Sequence, residues 1–343
     1  MPRVLFKKTG DTFTCEEGKY LLDLCEEHNC PIRFSCRAGA CGACVIDVSV
    51  TPEGLNPMTA REKRTLETIG ADLSKHRLAC INRVLNDLEV GDATTTTSER
   101  ARATGIRTGF EAEVVHTRHL TDIVREVTLK LIHPAIISFL PGQYLSFTIK
   151  DHEHIRRSYS ISSSPEDRHR VTLCVRATSG GLGSNYIHRL EPGNRVQFDG
   201  PYGEFILNQS SHRAIIFIAN GTGISPIMAM LRHLVDAKAK QKIQLYFGLR
   251  HANDIFYQEE LEKIAKALPQ FKYTLCLSQP FPNRWDGFVG RVTQLIEKEI
   301  KEVMAKTHEA YLCGGQGLIN DSSKILLGKG FSEEQIYHEN FYS

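Results

Sequence analysis

The sequence predicts a multi-domain chain. An α+β unit comes first, an all-β antiparallel unit second, and an α/β unit with a parallel sheet last. Three observations carry this. A length of 343 residues exceeds what one ordinary core fills. The stretch 91–108, GDATTTTSERARATGIRT, holds almost no large apolar residue and reads as an exposed linker. Near residue 209 the hydrophobic rhythm changes from short alternating segments to strand followed by helix. The expected boundaries are 1–92, a linker over 93–108, then 109–208 and 209–343.

The first unit offers a hairpin (VLFKK, TGD, TFTC), a helix on YLLDLCEEH, a cysteine-rich loop and a strand VIDVSV. A helix comes next on TAREKRTLETIG, with Thr59 at its start and Gly70 at its end, then strands near RLACINRV and DLEV. In the second unit FEAEVVHT, VREVTLKLI, QYLSFTI, RVTLCVRA and RVQFDG alternate between PGQ, SSSPED and EPGN turns, as in a barrel or sandwich. In the third, AIIFIA, KIQLYFG, FKYTLCLS, AYLCGG and IYHENF read as strands. Helices lie between them on SPIMAMLRHLVDAK, IFYQEELEKIAKAL, VTQLIEKEIKEVM and LINDSSKILLGKG, giving a parallel sheet of about five strands.

Composition excludes several classes. A net charge of +2 creates no field that would hold nucleic acid or an acidic membrane surface. No run of 18 apolar residues is present, so no membrane insertion is expected. The opening MPRVLFKKTGDTFTC has no apolar signal region, and a cytoplasmic, monomeric protein is expected. Fourteen histidines do not converge, and His152 and His154 in HEH read as a solvated turn.

Ten cysteines without a signal peptide argue against a disulfide framework, and seven of them lie within the first 80 residues. Cys36, Cys41 and Cys44 stand in CRAGACGAC with x4 and x2 spacing, and Cys80 comes later in RLAC. That spacing matches the plant-type ligand set of a 2Fe–2S cluster, two thiolates for each iron. Gly39 and Gly42 let the loop curl so that backbone N–H groups face the sulfurs, and Arg37 adds a cation. Structural zinc is the rival reading, but it favours paired CxxC knuckles, and only Cys41 and Cys44 make such a pair. Cys25 stands after Leu21 and Leu22 at helical spacing and reads as a small core residue, Cys15 reads as a strand residue, and Cys30 precedes Pro31.

RFSCRAGACGACVIDV and RLAC resemble a plant-type ferredoxin domain, whose fold is a β-grasp. From residue 109 onward the chain resembles the ferredoxin–NADP reductase superfamily, in the layout of bacterial oxygenase reductases with a ferredoxin domain fused at the N-terminus. The resemblance covers nearly the whole chain outside the linker. It implies an antiparallel β-barrel that binds flavin and an α/β parallel-sheet domain that binds nicotinamide.

RSYS (157–160) resembles the family's flavin motif. A flavin site needs a cation for the pyrophosphate, an aromatic plane against the isoalloxazine and a hydrogen bond near N5, the roles implied for Arg157, Tyr159 and Ser160. GGLGSNYIHRL places Gly181 and Ser184 at the start of a helix, where free N–H groups favour phosphate. It resembles the family's second pyrophosphate clamp, with Arg176 alongside, and FAD rather than FMN is expected. PGQY and GPYGEF also match family segments and read as mainly structural.

In NGTGISP, Gly221 and Gly223 permit close backbone approach to a pyrophosphate, and Thr222 lies between them. Pro226 replaces the third glycine of the usual dinucleotide fingerprint, and GTG-x-x-P is the form the reductase family implies. No acid stands in FGLR, where Arg250 can either pair a 2′-phosphate or line an NADH ribose. The resemblance favours NADH, with NADPH the alternative. Cys313 and Gly314 end a strand on the ligand edge of the sheet, and the resemblance puts such a pair beside the nicotinamide, with CGG here where CGP is commoner. Glu339 and Phe341 in YHENFYS resemble the family's terminal Glu-x-aromatic near the flavin.

Together these imply an NADH-dependent iron–sulfur flavoprotein. It would pass electrons from NADH through FAD and a 2Fe–2S cluster to the terminal component of a multicomponent oxygenase, with Ser160, Cys313 and Glu339 at the reacting centre. The close alternative changes only the client, to a desaturase, a demethylase or a ferredoxin-dependent pathway. A remote one is a non-catalytic zinc-binding adaptor, which predicts a colourless protein.

Overall fold

A computed structural model describes all residues except 29, 31, 33–38, 40, 41, 43, 49, 50, 69, 70, 92–106, 151, 281–284, 342 and 343. The chain divides into two compact units, Met1–Ala103 and Thr104–Ser343. Most of the expected linker lies outside the described residues.

In the first unit β1 (Arg3–Phe6) and β2 (Asp11–Thr14) form the expected hairpin, and α1 (Leu21–Glu27) comes next. Cys15 stands one residue past β2, and Leu21, Leu22, Leu24 and Cys25 all point into the core. The chain continues through β3 (Val45–Asp47), α2 (Ala60–Thr68), β4 (His76–Leu78) and β5 (Leu88–Val90). Strand β5 joins β1 in parallel, giving the order β2-β1-β5, while β3 and β4 form a separate antiparallel pair. Thr59 caps α2 as expected, its Oγ1 accepting from the Glu62 N–H at 3.1 Å. Gly70, the expected helix stop, lies outside the described residues.

The second unit begins with a barrel. Its strands are β6 (Arg107–His119), β7 (Val124–His133), β8 (Tyr144–Ile149), β9 (His152–Ser160), β10 (Arg170–Arg176) and, after α3 (Leu182–His188), β11 (Arg195–Tyr202). Their order is β10-β7-β6-β11-β8-β9, and an antiparallel bridge between Ile161 and Leu173 closes the two ends on each other. Closure removes the exposed edges a sandwich would leave. His152 and His154 belong to β9 rather than to a turn, because pairing with β8 extends back to Ile149↔His152. Strand β6 likewise starts at Arg107, within the stretch read as linker. Phe110, Phe147 and Phe198 fill the interior, with Phe198 centred 5.2 Å from Phe110 and 5.1 Å from Phe147.

The remainder alternates as its rhythm predicts: β12 (Ala214–Asn220), α4 (Ile224–Asp236), β13 (Ile243–Leu249), α5 (Gln258–Ala267), β14 (Phe271–Leu277), β15 (Phe288–Val289), α6 (Val292–Glu299), β16 (His308–Gly314), α7 (Gln316–Gly328) and β17 (Ile336–Asn340). The parallel order β15-β14-β13-β12-β16-β17 has six strands, because the two-residue β15 is too short to show in the sequence pattern. Along β12, Ile215, Phe217 and Ala219 pack toward α4 and α5, while Ile216 and Ile218 pack toward α6 and α7. A strand buried on both faces reads as a continuous apolar run. Helix α6 ends at Glu299 instead of running to Met304. Ile300 turns extended to bury its side chain, and Lys301 Nζ donates to the Lys298 carbonyl.

Barrel and α/β layers share a core, since Val124, Cys174, Phe205 and Leu207 join the cluster of α4 and α5. At that seam Tyr257 Oη donates to Glu126 Oε2 at 2.6 Å, and Arg232 lies 4.0 Å from the same oxygen. Arg232 also donates to the Ser162 carbonyl at 2.5 Å, and Arg118 bridges Glu126 to Glu260. Tyr257→Phe removes one donor from a buried carboxylate and is expected to destabilise this unit by about 1–3 kcal/mol. Thermal unfolding followed by release of flavin fluorescence reads the loss.

Candidate functional site

In the first unit, Cys44 and Cys80 are both buried; Cys44 just precedes β3 and Cys80 follows β4 by two residues, and the two turns are tied by an Ala79 N–H to Cys44 carbonyl bond of 2.9 Å. Cys36, Cys41 and Arg37 lie outside the described residues. Gly39, between Cys36 and Cys41, is described at φ +67°, and a Cβ added there would lie 2.5 Å from Ile81 Cδ1. Gly39 is therefore pressed against Ile81, the residue next to Cys80, and its left-handed backbone favours glycine there. Of the four expected ligands, Cys44 and Cys80 are thus held close together, and a set of four thiolates at this sequence spacing fits a 2Fe–2S cluster.

In the second unit the sheet order reverses at β12, with β13 on one side and β16 on the other. Ligands of open α/β sheets occupy the crevice at the carboxyl ends of the strands at such a point. The turn Gly221–Gly223 leaves β12 there, with Thr222 half-buried, and Pro226 lies buried in the first turn of α4. Gly223 packs against the Cys313 carbonyl and Gly314 of β16. Asn220 Oδ1 accepts from the Gly315 N–H at 3.2 Å, locking the β12 turn to the start of α7. Gly315 adopts φ −69°, within the range of proline, but its N–H bond to Asn220 is one that the commoner CGP cannot make.

Cys313 is fully buried and pairs in register with Ala219 on one side and Glu339 on the other. Ser160 Oγ, at the end of β9, donates to Glu339 Oε2 at 3.2 Å across the seam. The Ser160 carbonyl accepts from Ser225 Oγ of α4 at 3.1 Å. Ser160, Cys313 and Glu339 are thus brought together from positions up to 179 residues apart. The Phe341 N–H donates to the Gly314 carbonyl at 2.7 Å, and its half-buried ring packs on the shared core.

Burial pushes the Glu339 carboxyl up to about 8, partly offset by the bond from Ser160, and pushes the Cys313 thiol well above its ordinary value, with Glu339 adding to the rise. At neutral pH both groups hold their protons. In the unfolded chain Glu339 ionises near 4.5, so between pH 4.5 and about 8 the folded state retains a proton that the unfolded state releases. The stability contributed by the neutral carboxyl is full below 4.5 and lost as pH rises through about 8. Glu339→Gln is expected to flatten the fall in Tm over that window, as measured by thermal unfolding at a series of pH values.

On the barrel, Arg157 and Tyr159 lie on the face of β9 that meets α3. A Cβ on Gly183 would lie 2.5 Å from Arg157 Cγ and from Tyr159 Oη, so the helix start sits directly over the pair. Burial pushes the Tyr159 phenol up, keeping it neutral. Gly181 precedes the first turn of α3, and Ser184 Oγ is engaged locally, accepting from the Thr178 N–H at 3.1 Å and facing the Gly181 carbonyl at 3.4 Å. Arg176 stands exposed at the end of β10. A cation, a neutral aromatic and a helix start meeting at one place fit the pyrophosphate and ring of a flavin dinucleotide. Arg250 is exposed at the end of β13 and has no side-chain partner among the described residues. Nearby, Asp254 Oδ2 accepts from the His251 N–H at 2.9 Å.

Asn220, Ser225, Arg232 and Tyr257 do not stand out in the sequence. Ser225 is 1% exposed, and the one hint of it in the sequence is a polar residue at an otherwise apolar helix start. Nothing local marks the partners of the others.

Comparison with known proteins identifies the three domains. The 2Fe-2S iron-sulfur cluster binding domain matches residues 6–85, the oxidoreductase FAD-binding domain 111–206 and the oxidoreductase NAD-binding domain 217–324. Ferredoxin--NADP reductase B of Sorangium cellulosum is 30% identical over 238 residues, covering 68% of this chain and 97% of the relative. The phenol hydroxylase P5 protein of Acinetobacter pittii is 28% identical over 344 residues, covering 99% and 94%. The solved ferredoxin reductase of carbazole 1,9a-dioxygenase shares the fold, with TM-score 0.80, 22% identity and 99% and 98% coverage. Among the described residues no helix is long and apolar enough to cross a membrane. The barrel with its flavin cradle, the nucleotide crevice and the cysteine unit thus lead to one conclusion: the chain belongs to the ferredoxin–NADP reductase family, as an iron–sulfur flavoprotein oxidoreductase that uses FAD and NAD(P)H and carries an N-terminal 2Fe–2S ferredoxin domain.

Proposed function

We propose that this protein is the NADH-dependent reductase component of a multicomponent oxygenase acting on an aromatic or other small organic substrate, working as a cytoplasmic monomer. The chemistry its bound groups supply is the conversion of a two-electron donor into single electrons. The observation that carries the redox reading is the Ser160–Glu339 bond beside Cys313, where the barrel meets the switch point of the sheet. Support for an oxygenase client comes from end-to-end likeness to the phenol hydroxylase P5 protein.

In this reading Arg157 neutralises the flavin pyrophosphate together with the α3 start and Arg176, and Tyr159 lies along the ring. Ser160 hydrogen-bonds near N5 and is held in place by Glu339, whose retained proton keeps a bare negative charge away from the reacting atoms. Gly221, Thr222 and Gly223 carry the nicotinamide dinucleotide, Pro226 shapes the helix start behind them, and Cys313, Gly314 and Phe341 wall the nicotinamide. Cys36, Cys41, Cys44 and Cys80 hold the cluster. The seam excludes water, since Cys313 and Glu339 are almost fully enclosed.

Anaerobically purified protein is expected to show flavin and iron–sulfur absorption, to bleach on NADH addition and to reduce cytochrome c. A colourless protein with zinc in the cysteine loop would overturn the reading. The client is tested by NADH-driven reduction of terminal components captured from native lysate.

Coenzyme choice gives a separate prediction. Arg250 has no second cation beside it in FGLR, and the Asp254 carboxylate on the adjoining turn opposes a 2′-phosphate. kcat/KM for NADH is expected to exceed that for NADPH by roughly ten-fold or more, about 1.4 kcal/mol. Steady-state kinetics with both coenzymes decides, and a preference for NADPH removes the assignment.

A further inference from the structure

Two buried polar side chains of α2 take no part in binding flavin, nicotinamide or the cluster directly. Glu62 is 0% exposed and Thr65 is 9% exposed, and they lie three residues apart on one helix face. Glu62 Oε1 accepts from the Leu78 N–H at 2.9 Å, from Arg77 Nε at 3.0 Å and from Asn82 Nδ2 at 2.6 Å. Its Oε2 accepts from Arg77 Nη2 at 3.1 Å. Arg77 Nη2 also reaches the Asn56 carbonyl at 2.7 Å and the Asn82 side-chain oxygen, while Asn82 Nδ2 closes back on the Leu78 carbonyl at 2.8 Å. All these bonds converge on residues 77–82, the segment that carries Cys80. From the same face, Thr65 Oγ1 donates to the Gly39 carbonyl at 2.8 Å, a buried bond to the loop that carries the other three cysteines.

A buried ion pair is seldom the cheapest way to fill a core, because apolar side chains of similar size are often as stable. What directional bonds add is orientation. One rigid helix here grips both parts of a ligand set whose members are 36 residues apart at the nearest, Cys44 to Cys80. The Gly39–Ile81 contact holds the same two parts against each other directly. We infer that Glu62 and Thr65 are positioning residues: α2 sets the register of the cysteine loop against the Cys80 segment, and thereby the retention and reduction potential of the cluster. Partners beyond the ligands commonly exert such control. The inference rests on the reading that the four cysteines hold a 2Fe–2S cluster.

The test uses the full chain, purified anaerobically as wild type, Thr65→Val, Thr65→Ser and Glu62→Gln. Iron and sulfide per flavin, the half-time of cluster absorption under chelator, the cluster midpoint potential and the rate of flavin reduction by NADH are measured for each. Thr65→Val, which keeps the shape and loses the donor, is expected to lose its cluster about ten-fold faster and to shift the midpoint. Thr65→Ser restores both. Glu62→Gln leaves the Arg77 cation without its anion and is expected to raise the midpoint. Flavin reduction, in the other unit, stays at the wild-type rate. If Thr65→Val emerges without a cluster, a full cluster in Thr65→Ser supports the inference and an empty Thr65→Ser overturns it. With a loaded wild type, an unchanged potential in Thr65→Val or Glu62→Gln overturns the inference alone. A wild type without iron and sulfide overturns the cluster reading itself, and the inference with it.

Discussion

Replacing Gly223 with alanine is expected to slow reduction of the flavin by NADH about a hundred-fold, the usual cost of misplacing reacting groups by about an ångström. The added Cβ would lie 2.3 Å from the Cys313 carbonyl oxygen, 2.6 Å from its carbon and 2.9 Å from Gly314 Cα. All three are backbone atoms in a buried strand, so no side chain can swing away to make room. Gly223 itself has φ −59°, which any residue adopts, so the expected loss comes from close approach and not from backbone strain. Relief requires the Gly221–Gly223 turn or the end of β16 to move, and both belong to the proposed nicotinamide site. The barrel is untouched, so FAD content should stay at the wild-type level while the rapid phase of bleaching by NADH slows. An unchanged rate with full FAD would show that the crevice between β12 and β16 does not hold the coenzyme.

The second large effect concerns stability. Arg77→Ala is expected to weaken the first unit by about 3–5 kcal/mol, the cost of leaving a buried charge without its partner. Glu62 has no solvent to turn to and would keep only its bonds from the Leu78 N–H and Asn82. Denaturant unfolding followed by cluster absorption should show the loss, while flavin fluorescence from the other unit should keep its midpoint. Replacing Glu62 and Arg77 together with methionine removes both charges and should cost much less. Equal losses in the single and double variants would mean that the cost of Arg77→Ala is not that of leaving the Glu62 carboxylate unpaired.

How far the candidate sites are legible differs from one to the next. The cysteine loop is readable because its ligands sit at fixed short spacings, and the glycine and alanine between them have almost nothing to pack. The GTG turn is readable because a glycine pair after an apolar strand marks close backbone approach. Arg157 and Tyr159 become meaningful only through resemblance, since four residues of an alternating strand carry no signal of their own. Glu62 and Thr65 are invisible, as helix TAREKRTLETIG reads as polar and nothing local says that two of its polar side chains face inward. The strand that holds His152 and His154 escapes the sequence because polar residues at a barrel edge look like a turn until their pairing partner is known.

Local pattern alone therefore determined the order of the three folds, the position of nearly every strand and helix, and the cluster type the cysteines suit, because spacing and periodicity are properties of neighbouring residues. The flavin and nicotinamide assignments came from resemblance. Only tertiary structure decided which distant polar atoms meet: Ser160 with Glu339, Tyr257 with Glu126, and Thr65 with Gly39. Those meetings depend on barrel closure, sheet order and helix packing, which sum weak apolar contacts over the whole chain. A hydrogen bond between residues far apart leaves no trace at either end until that packing has brought the ends together.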